Sequence, residues 1–229
     1  MKRTKLDDRI LPEYTRGEEI FNMVTHIVGG AFGIAVLVLC IVFAAIHHNG
    51  YGIASGIIYG VSMILLYTMS SIYHGLPANR KSKKVFQIMD HCTIFVLIAG
   101  TYTPVLLCSI RPIDPFWAWV ILAIEWGCTI IGIILNAIDI EKYSTLSMVL
   151  YLAMGWGIVF RFNLLPEAVG MSGIYLLVAG GLAYTIGTIF YGLQNKHRYM
   201  HSIWHLWILL GSALHFLCII LYVIQLNIN

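Results

Sequence analysis

Seven separate stretches of this chain are long and apolar enough to cross a lipid bilayer: residues 23–46, 52–76, 86–109, 116–135, 144–160, 171–193 and 203–226. A spanning helix needs about 20 predominantly apolar residues, because no water is available in the hydrocarbon to satisfy an irregular backbone. Each stretch ends at a turn signal or a charge, among them His47-His48-Asn49-Gly50, Pro77, Arg111-Pro112, Pro166 and the run from Asn195 to Arg198. The fifth is the shortest, and Arg161 at its end can snorkel to the headgroups. Composition agrees: of 229 residues, 59% are hydrophobic and 11% charged, where a soluble domain carries roughly a quarter charged residues. A soluble enzyme, a nucleic-acid-binding domain and a disordered chain are therefore excluded. The expectation is an all-α, polytopic seven-transmembrane helix bundle, with residues 1–19 as an N-terminal segment and 20–229 as one membrane domain.

Charge placement orients the bundle. Of the 14 lysines and arginines, all but Arg111 and Arg161 fall in the N-terminal segment or in the loops after spans two, four and six. The positive-inside rule then puts the N-terminus in the cytoplasm and the C-terminus outside. The net charge of +3 is a topological signal and not an affinity for nucleic acid. Residues 1–19 lack the apolar core of a signal peptide and are expected to lie along the membrane surface. The five cysteines (Cys40, Cys92, Cys108, Cys128, Cys218) all fall within spans and read as small hydrophobes. Glycine pairs such as Gly29 and Gly33, and the ladder Gly52, Gly56 and Gly60, suit close packing between spans one and two. Pro104 should distort span three.

Ionisable groups within a membrane are costly and mark functional sites. Ser70 and His74 end span two, Asp90 and His91 open span three, and His201 and His205 open span seven. Glu19, Asn22 and His26 open span one. By the orientation above all of these fall in one layer near the cytoplasmic face. His201 and His205 are four residues apart and project from one helix face, so both can hold one metal ion. His74 at matching depth makes a third ligand, and three neutral imidazoles leave a fourth position open, as in a catalytic zinc site. Asp90 is placed either to move a proton or to accept a ligand histidine's N–H. Ser70 is placed to bond a reacting oxygen or its own helix. Glu19, Asn22 and His26 form one stripe that ties span one to the others, with a fourth ligand as the alternative. His197 reads as a surface residue, His91 as facing another helix, His215 as an interhelical hydrogen bond too deep for the same ion, and His47 and His48 as solvated. Glu125 lies mid-span in the fourth helix with no partner evident from sequence.

These motifs carry a resemblance. Glu19-x2-Asn22-x3-His26, Ser70-x3-His74 followed by Asp90, and His201-x3-His205 resemble the bacterial hemolysin III family, the prokaryotic branch of the progestin and adipoQ receptor family of seven-span proteins. The segments Ala99-Gly100-Thr101-Tyr102-Thr103-Pro104 and Gly180-Gly181-Leu182-Ala183-Tyr184 support it. The likeness runs from about Glu18 to the end of span seven, with no departure at the polar positions. It implies a zinc ion on His74, His201 and His205, with Asp90 and Ser70 beside it. It also implies kinship with membrane hydrolases, including alkaline ceramidases, that cut amide bonds in lipids. The family name reflects a haemolytic phenotype, and bacterial relatives are linked to membrane-fluidity homeostasis. The leading expectation is a zinc-dependent hydrolase of a lipid amide or ester at the cytoplasmic leaflet of a bacterial inner membrane. The alternatives are a non-enzymatic regulator or sensor of membrane lipid state with structural zinc, and a cytolytic membrane protein.

Overall fold

The computed structural model describes residues 3–225; Lys2 and the end of the seventh stretch at Leu226 lie outside that range. Among the described residues the protein is all helical. The elements are α1 (Arg16–Ile46), α2 (Gly50–Gly75), α3 (Lys81–Pro104), α4 (Pro115–Asp139), α5 (Ser144–Gly155), α6 (Leu165–Leu193) and α7 (Met200–Cys218). Helix starts follow local chemistry. Thr15 and Glu18 close a capping box on α1, Asn49 accepts from Gly52 N–H at the start of α2, and Asp114 caps α4 ahead of Pro115.

Among the described residues six helical stretches are long and apolar enough to cross a membrane. Spans five and six form one such stretch, Ser144–Leu193, in which α5 passes through a 3-10 segment (Gly157–Leu164) into α6. With 12 residues, α5 alone is about 18 Å long, short of a bilayer core of about 30 Å. The helical path breaks at Arg161 and again at Gly170, whose φ of 65° is open to glycine and strained for other residues. The sixth expected stretch begins at residue 171, just after that break.

Pro104 distorts α3 as its chemistry requires. Lacking an N–H and crowding the carbonyl four residues back, it is followed by a π-helical segment, Val105–Ile110, in which Arg111 N–H reaches the Leu106 carbonyl at 2.8 Å.

Packing follows the chain: α1 on α2, α2 on α3, α3 on α4, α6 on α7, with α1 meeting α7 to close the bundle. The α1–α2 contact is the most extensive and is close. A Cβ on Gly60 would lie 2.6 Å from Leu37 Cα, and one on Gly29 would lie 2.5 Å from the Tyr67 ring. The glycines thus serve packing within the chain. Because the obstruction at Gly60 is backbone, Gly60→Ala is expected to destabilise by roughly 1–3 kcal/mol, read as a lower melting temperature in detergent. Large apolar residues such as Ile27, Val28, Ile130 and Ile131 face outward, as a bundle solvated by lipid tails permits. This is a multi-pass membrane protein.

α5 packs on α3 and α4 while α6 packs on α7, and between these pairs lies a cavity of about 500 Å³ lined by residues of α3, α5, α6 and α7. Residues 3–14 cross the ends of α3 and α4: Thr4 N–H donates to Asp139 Oδ2 at 2.8 Å and Arg9 Nη2 to Gln87 Oε1 at 2.9 Å. Their backbone amides and guanidinium groups find fixed acceptors there.

Candidate metal centre

His74 in the last turn of α2 meets His201 and His205 in the first turns of α7. One nitrogen from each lies within 4.8 Å of the other two, and all three residues are buried. The Nε2 atoms of His201 and His205 are 3.1 Å apart. What each ring does with its other nitrogen defines the site. His74 Nδ1 donates to Glu19 Oε2 at 2.6 Å, and His201 Nδ1 to Gln194 Oε1 at 2.7 Å. His205 Nδ1 faces α1, where the Asn22 carbonyl and Thr25 Oγ1, at 3.5 Å, are its neighbours. These acceptors assign the hydrogen to Nδ1 in each ring and leave the Nε2 lone pairs converging.

Two lone pairs 3.1 Å apart repel unless a cation lies between them. Across a tetrahedral zinc with Zn–N bonds near 2.0–2.1 Å, two ligand nitrogens stand about 3.3 Å apart. Other buried polar atoms without partners gather at the same place: His74 Nε2, Ser70 Oγ, Asn22 Nδ2 and both ring nitrogens of His26. Each would cost roughly 1–3 kcal/mol if left unsatisfied. The donor set, three neutral imidazoles without a thiolate, fits zinc.

The stripe on α1 is divided among three tasks. Glu19 holds His74, Asn22 Oδ1 accepts from Ser202 Oγ at 2.6 Å and so ties α1 to α7, and His26 stacks on His205 with ring centroids 3.6 Å apart. None of the three joins the histidine cluster. Asp90 and His26 line the cavity, and Ser70 stands beside Asp90 without completing a hydrogen bond of good geometry. The histidine cluster borders the cavity through Tyr191, Gln194 and Trp204, and Asp90 lines the same cavity.

The remaining candidates fall elsewhere. His197 is exposed in the α6–α7 turn. His91 bonds the Gln87 carbonyl of its own helix at 2.9 Å and Tyr191 Oη, on α6, at 3.2 Å. His215 Nε2 donates to the Leu177 carbonyl at 3.2 Å, an interhelical bond. His48 is exposed and His47 half-buried. Glu125 is buried against the α5 break, where a Cβ on Gly157 would lie 2.9 Å from its Oε1. Beside it Tyr102 Oη donates to the Gly155 carbonyl and accepts from Ile158 N–H, both at 3.1 Å.

Three residues of the site were not singled out from the sequence. Gln194 orients His201, and Tyr14 Oη donates to the same Gln194 oxygen at 2.7 Å. Lys83, one of the charges counted toward topology, is buried: its Nζ reaches Glu19 Oε1 and the Tyr73 and Leu76 carbonyls, all at 2.8 Å. It compensates the carboxylate that holds His74. Lys83→Met removes three bonds and leaves Glu19 with an uncompensated charge. Since the Glu19 side chain is 20% exposed, the expected loss is roughly 2–4 kcal/mol, measured by thermal unfolding beside Lys196→Met, at an exposed lysine, as a surface control.

The comparisons bear on what this architecture is. A model of the family described as "Haemolysin-III related" matches residues 14–216. Hemolysin-3 of Bacillus cereus is 40% identical over 207 residues, 90% of this chain and 92% of that protein. The Hemolysin-3 homolog of Bacillus subtilis (strain 168) is 38% identical over 212 residues, 93% and 97% of the two chains. The human monocyte to macrophage differentiation factor is 27% identical over 170 residues, 71% of this chain and 67% of that one. A helical, membrane-spanning chain with this extent of likeness belongs to the haemolysin-III-related family.

Proposed function

We propose that this protein is a zinc-dependent hydrolase of a lipid amide or ester, acting at the cytoplasmic leaflet of a bacterial inner membrane. In this reading residues 20–229 form one seven-crossing domain, with α5 and the 3-10 segment after it as the fifth crossing, the N-terminus in the cytoplasm and the C-terminus outside. The observation that carries it is the convergence of three buried histidine rings, two of them held at Nδ1 by Glu19 and Gln194, next to a cavity that Asp90 lines.

His74, His201 and His205 would hold the ion, which when bound supplies a Lewis acid and lowers the pKa of water to about 7. The chain's own residues supply the rest. Asp90 has no place among the converging nitrogens, so its carboxylate is free to take a proton and return it to a leaving nitrogen or oxygen. Ser70 Oγ, buried and without a partner, is available as a donor to developing negative charge. The cavity walls are largely apolar at Ile94, Leu97, Ile98 and Leu152, with polar groups at the end near Asp90. That distribution suits an amphiphile with its polar bond at the histidine end. Because α5 and α6 pack on different partners, the bundle can admit such a molecule sideways from the bilayer.

The test is release of fatty acid from lipid amides and esters in nanodiscs, followed by mass spectrometry, with the protein stripped by chelator and reloaded with zinc. Release that disappears on stripping and returns with zinc supports the reading; none from the zinc-loaded protein sinks it.

One observation favours a second reading. The ligands and their Nδ1 partners come from α1, α2, α7 and the end of α6, so an ion there would pin four helix ends and serve stability alone. The protein would then be a regulator of membrane lipid state, and stripping zinc would lower its melting temperature with no turnover to lose.

A further inference from the structure

The segment before α1 is short, irregular and anchored at both ends. At its start Arg3 Nε donates to the Ile138 carbonyl at 2.8 Å and Thr4 N–H to Asp139 Oδ2. Asp7 is held by Lys81 at 2.8 Å, and its carbonyl by Lys84 Nζ at 2.7 Å. Arg9, 5% exposed, donates to Gln87 on α3 and lies 3.9 Å from Glu141. Ile10 and Pro12 border the cavity, as do Gln87, Glu141 and Gln194. The chain therefore passes over the end of the cavity on the way to α1.

Its last contact reaches the histidines. Tyr14 Oη donates to Gln194 Oε1, the oxygen that also accepts from His201 Nδ1. The Tyr14 ring lies against His201 and His74, with centroids 5.0 and 5.7 Å away. A Gln194 oxygen receiving two donors is fixed in orientation, and through it so is the His201 ring.

The forces holding this strap are polar. Ile10 is 85% exposed and Leu6, Leu11 and Pro12 are only half-buried, so apart from the Tyr14 ring opening forfeits mainly hydrogen bonds and ion pairs that water can replace. Segments of that kind open locally without global unfolding. We propose that residues 3–14 are a lid over the cytoplasmic mouth of the cavity, and that Tyr14 is a positioning residue which holds His201 through Gln194, so that displacing the lid admits solutes and loosens the metal together. The second half rests on the metal reading above; the first does not.

Two readouts on the full-length protein in nanodiscs separate the halves. Met148 lines the cavity on α5, and Met148→Cys is labelled with a charged, membrane-impermeant maleimide, with labelling of the unsubstituted protein subtracted. Zinc loss to a chelator is followed in the same samples. Adding Arg9→Ala is expected to raise the labelling rate roughly tenfold, because a hydrogen bond from a charged donor favours the closed state by that factor or more. Zinc loss should quicken in step. Tyr14→Phe keeps the ring and deletes the bond to Gln194. It is expected to speed zinc loss roughly tenfold, at the lower end of what loss of a ligand's outer partner costs.

Labelling at the parent rate in Arg9→Ala overturns the lid, and zinc loss at the parent rate in Tyr14→Phe overturns the positioning role. Should Arg9→Ala fail to fold, Asp7→Ala carries the labelling arm, since it gives up only exposed contacts. A wild-type protein that takes up no zinc overturns the metal reading and with it the positioning role, and the labelling arm then decides the lid alone.

Discussion

His201→Ala, purified in detergent, is expected to carry no zinc, while His197→Ala retains one ion per chain. The contrast is large because the two histidines differ in everything but residue type. His201 is buried, its Nε2 lies 3.1 Å from that of His205, and its Nδ1 is held by Gln194. His197 is exposed in the α6–α7 turn. Removing only an outer partner of a ligand costs roughly 10–100-fold in metal affinity, and removing the ligand itself costs more, since the remaining two histidines make an incomplete set. Glu19→Gln should fall between the two: the amide oxygen still accepts from His74 Nδ1, but the charge that makes the imidazole a better donor to the ion is gone. Elemental analysis of the four proteins checks the series. Equal zinc in His201→Ala and wild type would mean that the ion is held elsewhere.

How far the sequence discloses this site depends on which force places each residue. The spans are readable because a bilayer sets a minimum apolar length and tolerates few charges within it. His201 and His205 are readable because four residues bring two side chains to one helix face, and His74 because helix ends can be aligned by depth. Gln194 is seven residues before His201, with the α6–α7 turn between them. Its approach depends on that turn, including the left-handed φ of 61° at Tyr199. No periodicity describes such a path, and the same holds for Tyr14 at the end of an irregular segment. Lys83 shows the opposite failure: a lysine in a basic loop obeys the positive-inside rule so well that its burial against Glu19 is hidden by it. The fifth and sixth spans illustrate a third case. Pro166 suggests a break, yet it sits in the first turn of α6, where its missing N–H has no partner to lose. The breaks fall instead at Arg161 and Gly170, next to the expected limits at 160 and 171, and of the two only the glycine carries its backbone freedom in its residue type.

Asp90→Asn is expected to abolish lipid hydrolysis, by roughly 100-fold or more, with zinc still bound at one ion per chain. What the substitution keeps decides the outcome. Asn matches Asp in volume, so the buried position in the third turn of α3 and its packing persist, and Asp90 is not one of the three converging histidines. Asn can hydrogen-bond through its amide but cannot accept and return a proton, so a role in proton transfer is lost while a role in orientation is largely kept. A carboxylate that served only to hold a ligand histidine would give the reverse pattern, because the amide oxygen is a weaker acceptor: modest loss of zinc, and loss of activity in proportion to it. His74 and His201 already have Nδ1 acceptors in Glu19 and Gln194, and His205 Nδ1 faces α1 at Thr25. No ligand ring is left for Asp90 to orient, and its access to the cavity places it on the side a substrate would occupy. Ser70→Ala is the companion measurement. Its hydroxyl stands beside Asp90 without completing a hydrogen bond of good geometry, so the substitution should cost little stability, and a fall in kcat with KM unchanged would assign it to charge that develops only during reaction. Full activity in Asp90→Asn would remove the hydrolytic reading and leave zinc, if bound, as a clamp on four helix ends.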